Sequence, residues 1–469
     1  MEKIKRLINC VLPDTICNMN CTYCYIGQQG THACKSSVNP HTVKEIRSAL
    51  SYERLGGGCH MNICAAGETL LVPYITELTS EFIEEGHIVS LVTNGTVHKV
   101  INELCDMPIE KRQKIFMKFS FHYLELKKGK LLDHFFQNVR KIQEADIGFT
   151  VELTVNDESI GYIDDIRKVC NEKLGCDCHI IESRQQDGKD WPRLTQLTMK
   201  EHQKKWGVFN SELFEFQQTI WGEKRNEFCY AGDWVVSIDL KNGDVCPCFG
   251  GGHVIDNIYR FLDRPIQFHA IGKNCPWGHC FAAHALLTHG VIPGFTAPTY
   301  AEVRNRCIPE QREWLGSSLK QIFSTRLSDY NQEYNIARKE LTNFISGIEY
   351  GKYEMSDADK VLPHLLKYFK NNNYKNIAIY GAGRLGRALG ELLEKCNLNV
   401  VCFLDKNYEN INFEKPCVAI ESVVESVDVI IISVHRVFYD IKEMLRLNNR
   451  ADIISIIDLY VDEMNDNCL

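Results

Sequence analysis

Six apolar runs, each followed by an amphipathic or polar stretch, fill the first 185 residues and constrain the fold more than any other feature of the chain. Strand-like segments read at 8–14, 60–64, 88–93, 115–121, 148–155 and 178–182, with helical periodicity at 72–86, 98–107, 131–145 and 163–174. Strands joined through helices pair in parallel with right-handed crossovers. The expected class is therefore α/β, with a partial (β/α)6 TIM-like barrel over residues 1–185. In such barrels the chemistry sits on the loops at the carboxyl ends of the strands.

The loop after the first strand reads CNMNCTYC, so Cys17, Cys21 and Cys24 follow C-x3-C-x2-C. Thiolates at this spacing can hold three corners of a [4Fe-4S] cube, leaving the fourth iron open to bind and reduce something. The C-x2-C half suits zinc as well. The chain carries 21 cysteines among 469 residues. Without a signal peptide, that number is better explained by metal or cluster ligation than by disulfides. Cys105, Cys170 and Cys396 fall in helical patterns and read as buried apolar residues. A net charge of −8 argues against a dedicated nucleic-acid binder. No apolar run has membrane-spanning length, so a cytoplasmic location is expected, with neither nucleic acid nor membrane as partner.

CNMNCTYC, with Tyr23 ahead of the third cysteine, resembles the signature of the radical S-adenosylmethionine (SAM) superfamily. Ala66-Gly67-Glu68-Thr69 resembles that family's Gly-Gly-Glu motif, with Ala66 replacing the first glycine. The resemblance implies that backbone carbonyls and Glu68 receive the amino group of the SAM methionine, with a small residue needed because the ligand lies against the main chain. The third strand ends in LVTNGT, which places Thr93 and Asn94 at the barrel mouth. The fourth, KFSFHYLEL, alternates Ser120 and His122 with Phe119 and Phe121, so the polar pair would meet the SAM ribose or the substrate. In the fifth, FTVELTVND, either Glu152, Thr154 and Asn156 or Val151, Leu153 and Val155 turn inward, and Asn156 is the expected cofactor contact. The sixth ends in IIESR, where Arg184 would pair with the SAM carboxylate. The resemblance implies a [4Fe-4S] cluster with an open iron for SAM and reductive cleavage to methionine and a 5′-deoxyadenosyl radical. That radical would abstract a hydrogen atom, and the electron would come from a donor such as flavodoxin or ferredoxin. No side chain is singled out as catalytic.

Residues 186–290 hold a second group of cysteines. Cys229, thirteen residues, Gly243, four residues and Cys248 resemble the opening of SPASM and twitch domains, with Gly243 in a hairpin turn. Cys275 and Cys280 would complete a four-thiolate site, and Cys246 competes with Cys248, which the spacing favours. A full SPASM domain needs about seven cysteines for two clusters. The segment therefore reads as a small twitch-like domain with one auxiliary [4Fe-4S] cluster, and structural zinc is the alternative.

A helical connector is expected over 291–372 and a C-terminal Rossmann-like α/β domain over 373–469. There NIAIYGAGRLGRALGELLEK reads strand, G-x-G-x-x-G, helix. Gly381, Gly383 and Gly386 match the dinucleotide fingerprint and Asp405 ends the next strand, so a nucleotide would bind here, unless the motif is only a tight turn. The module resembles the small Rossmann-like modules of bacterial sugar-modifying and surface-glycan proteins, and that resemblance implies a sugar or nucleotide-sugar substrate of glycan biosynthesis, processed by an oxidoreductase-type radical SAM enzyme. The alternatives are a maturase of a ribosomal peptide or protein side chain, and a non-catalytic metal-binding redox scaffold. Against the maturase, the barrel pattern starts near residue 8, without a preceding leader-recognition domain. A dehydrogenase built on residues 375–469 alone would lack a second lobe with an acid–base pair.

Overall fold

The computed structural model describes residues 3–30, 38–186, 190–280, 282–308, 312–412, 414–422, 424 and 426–461. The first sheet contains β1 (Arg6–Leu12), β2 (Cys59–Ala65), β3 (Ile88–Thr93), β4 (Ile115–Phe121), β5 (Gly148–Thr154), β6 (His179–Ile181), β7 (Val235–Asp239), β8 (Asp244–Cys246) and β9 (Asp256–Asn257). Its order is β6-β5-β4-β3-β2-β1-β7-β8-β9. β1 to β7 pair in parallel, and the last two pairings are antiparallel. The sheet thus does not stop at residue 185, because β7, from the cysteine-rich segment, covers the edge that β1 would otherwise leave unpaired.

Strand alternation decides which side chains reach the interior. Cys10, Met61, Ile63, Met117, Phe119, Phe121, Val151 and Leu153 are buried on the outer face. Helices Ile75–Glu84, His98–Cys105, Leu132–Glu144 and Ile163–Leu174 share that core. Leu132–Glu144 contributes Phe135, Val139 and Ile142, a stripe at helical spacing. The other face keeps residual exposure at Asn9, Cys64, Val92, Lys118, Ser120, Thr154 and Ser237, which line an open lumen. Of the two registers open for β5, the fold takes the one that turns Val151, Leu153 and Val155 outward.

The floor of the lumen is filled by residues between 289 and 323. His60 of β2 lies 3.1 Å from His289 Nε2, and Tyr300 and Phe323 pack edge-on against Phe116 of β4. Part of the expected connector is therefore barrel plug. Helices Ile336–Glu349 and Met355–Asn371 belong with the C-terminal sheet, since Phe344, Val361 and Leu365 share one core with Ile377 and Ile379.

That second sheet consists of β10 (Asn376–Tyr380), β11 (Asn399–Leu404), β12 (Cys417–Val418), β13 (Val429–Ile432) and β14 (Asp452–Ser455), in the order β12-β11-β10-β13-β14. All its pairings are parallel. Both faces are covered, one by helix Arg384–Lys395 and its neighbours and the other by helix Phe438–Arg446, as parallel sheets require. Residues 309–311 of the expected connector and 413, 423, 425 and 462–469 of the expected C-terminal domain lie outside the described residues. Among the described residues no helix is long and apolar enough to cross a membrane.

Candidate functional site

At the carboxyl end of β1 the chain zips onto the end of β2. Ala66 N–H donates to the Leu12 carbonyl (3.1 Å), Gly67 N–H to Asp14 (2.7 Å) and Glu68 N–H to Ile16 (2.7 Å). A Cβ on Gly67 would stand 2.0 Å from the Ile16 carbonyl oxygen, so only glycine allows this approach. The sequence suggested that a small residue here makes room for a ligand, yet the neighbour is the cysteine loop itself. Glu68 is buried, and its carboxylate accepts from the Thr93 hydroxyl (2.6 Å), Asn94 N–H (2.7 Å) and Leu70 N–H (3.0 Å). Burial raises its pKa and these three bonds oppose the rise. The Asn94 amide donates to Asn18 Oδ1 at 2.7 Å. Glu68, Thr93 and Asn94 thus brace β2, β3 and the cysteine loop against one another.

Cys17, Cys21 and Cys24 are half-buried and within electrostatic reach of one another. Burial pushes the Cys17 thiol up and the Cys21 thiol to about 12. Burial, with Cys21 beside it, also holds the Tyr23 phenol well above its ordinary value, so the phenol keeps its proton. Its oxygen lies 2.8 Å from His122 Nδ1. Burial lowers His122 to about 4, leaving a neutral imidazole beside Tyr23 at neutral pH.

The remaining strand ends separate into lumen and scaffold. Ser120 faces the lumen beside Lys118, which the sequence reading passed over although it stands two residues earlier in the same alternation. Asn156 caps the turn after β5: its oxygen accepts from Ser159 N–H (3.0 Å) and Oγ–H (2.8 Å), and its amide donates to the Thr154 carbonyl (3.2 Å). Arg184 lays its guanidinium over the Tyr25 ring at 4.5 Å, and its carbonyl accepts from Gln28 (3.0 Å), tying the end of β6 to the cysteine loop. The interior ion pair of Glu152 and Arg304, 3.2 Å apart, was also missed, because its partners are 152 positions apart in the chain.

Residues 11–170 match the Radical SAM superfamily. The chain carries a radical SAM domain. No curated protein matches the chain. Among solved structures it is similar to Streptococcus suis SuiB bound to S-adenosylmethionine, with 16% identity and a TM-score of 0.39 over 56% of this chain and 65% of that one. Less than two thirds of SuiB is thus spanned. It is similar also to native anSMEcpe with bound AdoMet (15% identity, 54% of this chain, 79% of that chain, TM-score 0.39). A third similarity is to BtrN in complex with AdoMet and 2-DOIA (15%, 56%, 82%, TM-score 0.27).

A radical SAM domain implies a [4Fe-4S] cluster and SAM. Among the described residues no group of three or more His, Cys, Asp or Glu is arranged to hold one metal ion. A cubane cluster asks for something else, one thiolate on each of three separate irons. Three neighbouring thiols on a loop braced by Gly67 and Glu68 fit that donor set.

Beyond the radical SAM domain, Cys229, Cys248, Cys275 and Cys280 come within electrostatic reach of one another. Backbone N–H groups point at two of these sulfurs, Ala231 at Cys229 (3.5 Å) and Gly250 at Cys248 (3.3 Å). Burial pushes Cys248 up to about 12. Cys246 stands opposite Ser237 in the β7–β8 pairing, with Asp244 and Asp239 as its charged neighbours. Gly243 turns the hairpin at φ +83°.

In the second sheet, Gly381 has φ +95° and a Cβ on Gly386 would lie 1.8 Å from the Gly381 carbonyl, so both glycines serve the seating of helix Arg384–Lys395 on β10. Gly383 is the N-cap of that helix and faces open space. Asp405, part of the expected nucleotide fingerprint, accepts from Ala382 N–H and Asn407 N–H, each at 2.9 Å, and holds the loop.

Proposed function

We propose that this radical SAM enzyme holds its [4Fe-4S] cluster on Cys17, Cys21 and Cys24 and removes a hydrogen atom from a sugar or nucleotide-sugar substrate in the lumen. One observation carries the reading: the three thiols stand at the carboxyl end of β1, at the mouth of a lumen lined by polar, partly exposed side chains. When bound there, the cluster and SAM together supply a 5′-deoxyadenosyl radical.

The chain's own residues do the positioning. The backbone zipper from Leu12 to Glu68 sets the loop, and Asn94 ties it down through Asn18. Tyr23 and His122 share a hydrogen bond with both groups uncharged, so no fixed charge from this pair disturbs the site. Across the lumen wall, Asn62 donates to Asn9 (2.9 Å) and Asn9 to Ser237 (3.0 Å), a row of amide and hydroxyl groups matched to sugar hydroxyls. Cys229, Cys248, Cys275 and Cys280 would hold one auxiliary cluster, and a flavodoxin or ferredoxin would deliver the electron.

The test is anaerobic reconstitution with iron and sulfide, reduction, addition of SAM and quantification of 5′-deoxyadenosine. The expected result is product from wild type, none from Cys21→Ala, and about eight irons per chain. Zinc in place of iron, with intact SAM, would overturn the reading.

A further inference from the structure

Trp277 stands two residues after Cys275 and three before Cys280, in NCPWGHC. Its ring packs against that of Trp191, with 5.0 Å between centres and a tilt of 45°. The indole Nε1 is buried and, among the described residues, makes no well-formed hydrogen bond. An indole N–H can only donate, and a buried donor without an acceptor is costly. This nitrogen lies at the four-thiol site. A Cβ on Gly250 would stand 2.6 Å from it, and Gly250 is the residue whose N–H donates to Cys248 Sγ at 3.3 Å. The Trp277 side chain opposes the rise of the Cys248 pKa, as its backbone N–H does for Cys275.

A protonated thiol is a weak acceptor, whereas sulfur that carries negative charge on iron accepts more strongly. Iron bound at Cys248 would therefore give the buried N–H the partner it wants. The backbone donors to Cys229 and Cys248 come with the loops themselves. The indole donor is a property of residue 277 and can be removed without touching the backbone. Hydrogen bonds to the sulfurs set the reduction potential of an iron–sulfur cluster, because they stabilise the negative charge added on reduction.

We propose that the Trp277 indole N–H donates to sulfur at the Cys248 corner of the auxiliary cluster and raises its reduction potential; the proposal rests on Cys229, Cys248, Cys275 and Cys280 holding that cluster. Gly250, which has no Cβ, leaves the space in which the indole edge sits.

Redox titration of the reconstituted enzyme with dithionite, followed by electron paramagnetic resonance, tests this. Trp277→Phe keeps a ring against Trp191 and loses the N–H. Its auxiliary cluster should be about tenfold harder to reduce, a midpoint about 59 mV more negative, with the cluster of Cys17, Cys21 and Cys24 unmoved. Gly250→Ala, whose methyl displaces the indole nitrogen, should shift the auxiliary midpoint the same way with residue 277 intact. Wild type labelled with nitrogen-15 in its indole rings should show a nitrogen coupling on the reduced auxiliary signal. That measurement decides the matter even if Trp277→Phe fails to load. Equal midpoints in wild type and Trp277→Phe, or no coupling in the labelled wild type, overturns the proposal. If those samples hold about eight irons per chain, the auxiliary cluster itself stands and Trp277 only packs against Trp191. About four irons in wild type, with 5′-deoxyadenosine still formed, overturns the auxiliary cluster and this proposal together.

Discussion

The two cysteine groups are built in opposite ways. Cys17, Cys21 and Cys24 lie within eight residues of sequence, on a loop that faces the lumen. Cys229, Cys248, Cys275 and Cys280 are spread over 52 residues and meet in an apolar setting, with Cys248 only 7% exposed. The first group owes its place to one glycine and one buried carboxylate. The second depends on four separate points of the chain, Cys229 and Cys248 at isolated β-bridges, and on backbone N–H groups aimed at sulfur. On the proposed ligand sets, three thiolates would leave a reactive corner while four would close the coordination, so the difference in architecture would carry a difference in chemistry.

The largest expected effect comes from crossing the two groups. Cys21→Ala should abolish 5′-deoxyadenosine formation, whereas Cys280→Ala should lower iron by about four per chain and leave SAM cleavage measurable. Equal loss in both variants would erase the contrast. Within the second group, Cys248→Ser should lose the same iron and Cys246→Ser should keep it, read by iron and sulfide assay.

Gly67→Ala acts on the first group alone. The added methyl meets the Ile16 carbonyl at 2.0 Å, so the loop must move, at a cost of about 1–3 kcal/mol. Thermal melting should show that loss, and the spectrum of the reduced enzyme should retain the auxiliary signal alone.

The smallest effect belongs to the second group's neighbourhood. There His269 lies 5.5 Å, ring to ring, from His435, whose Nδ1 is 3.6 Å from Glu349. Burial raises Glu349 to about 7, so from its ordinary 4.5 to that value the folded chain keeps a proton that the unfolded chain releases. Stability therefore falls as pH rises through this window. His435, lowered to about 4 chiefly by burial, works in the opposite sense between 4 and 6.5. Glu349→Gln removes only the fall. Its stability relative to wild type should rise from pH 5 to 8, on the order of 2 kcal/mol, as denaturant midpoints at the two pH values would show.

Much of the first sheet was legible because period-two and period-3.6 patterns are short-range: β2, β3 and β4 fall where alternation placed them, as do helices Leu132–Glu144 and Ile163–Leu174. The cysteine loop was legible for the same reason, its ligands being near neighbours in the chain. Reading stopped where partners are distant. Nothing local says that Val235–Asp239 pairs with β1, or that Tyr300 and Phe323 plug the lumen. Asp405 matched the fingerprint by its spacing from Gly381, but only the folded loop shows its carboxylate accepting from Ala382 and Asn407 N–H.

Local backbone preference and side-chain period are properties of a dozen residues at a time, and those residues alone specify the strands, the helices and three closely spaced thiols. Which strand closes an edge, which rings plug the lumen and how four thiols spread over 52 residues come together depend on burial shared between segments far apart in the chain. Such contacts form only when the whole core packs, so they belong to the tertiary structure.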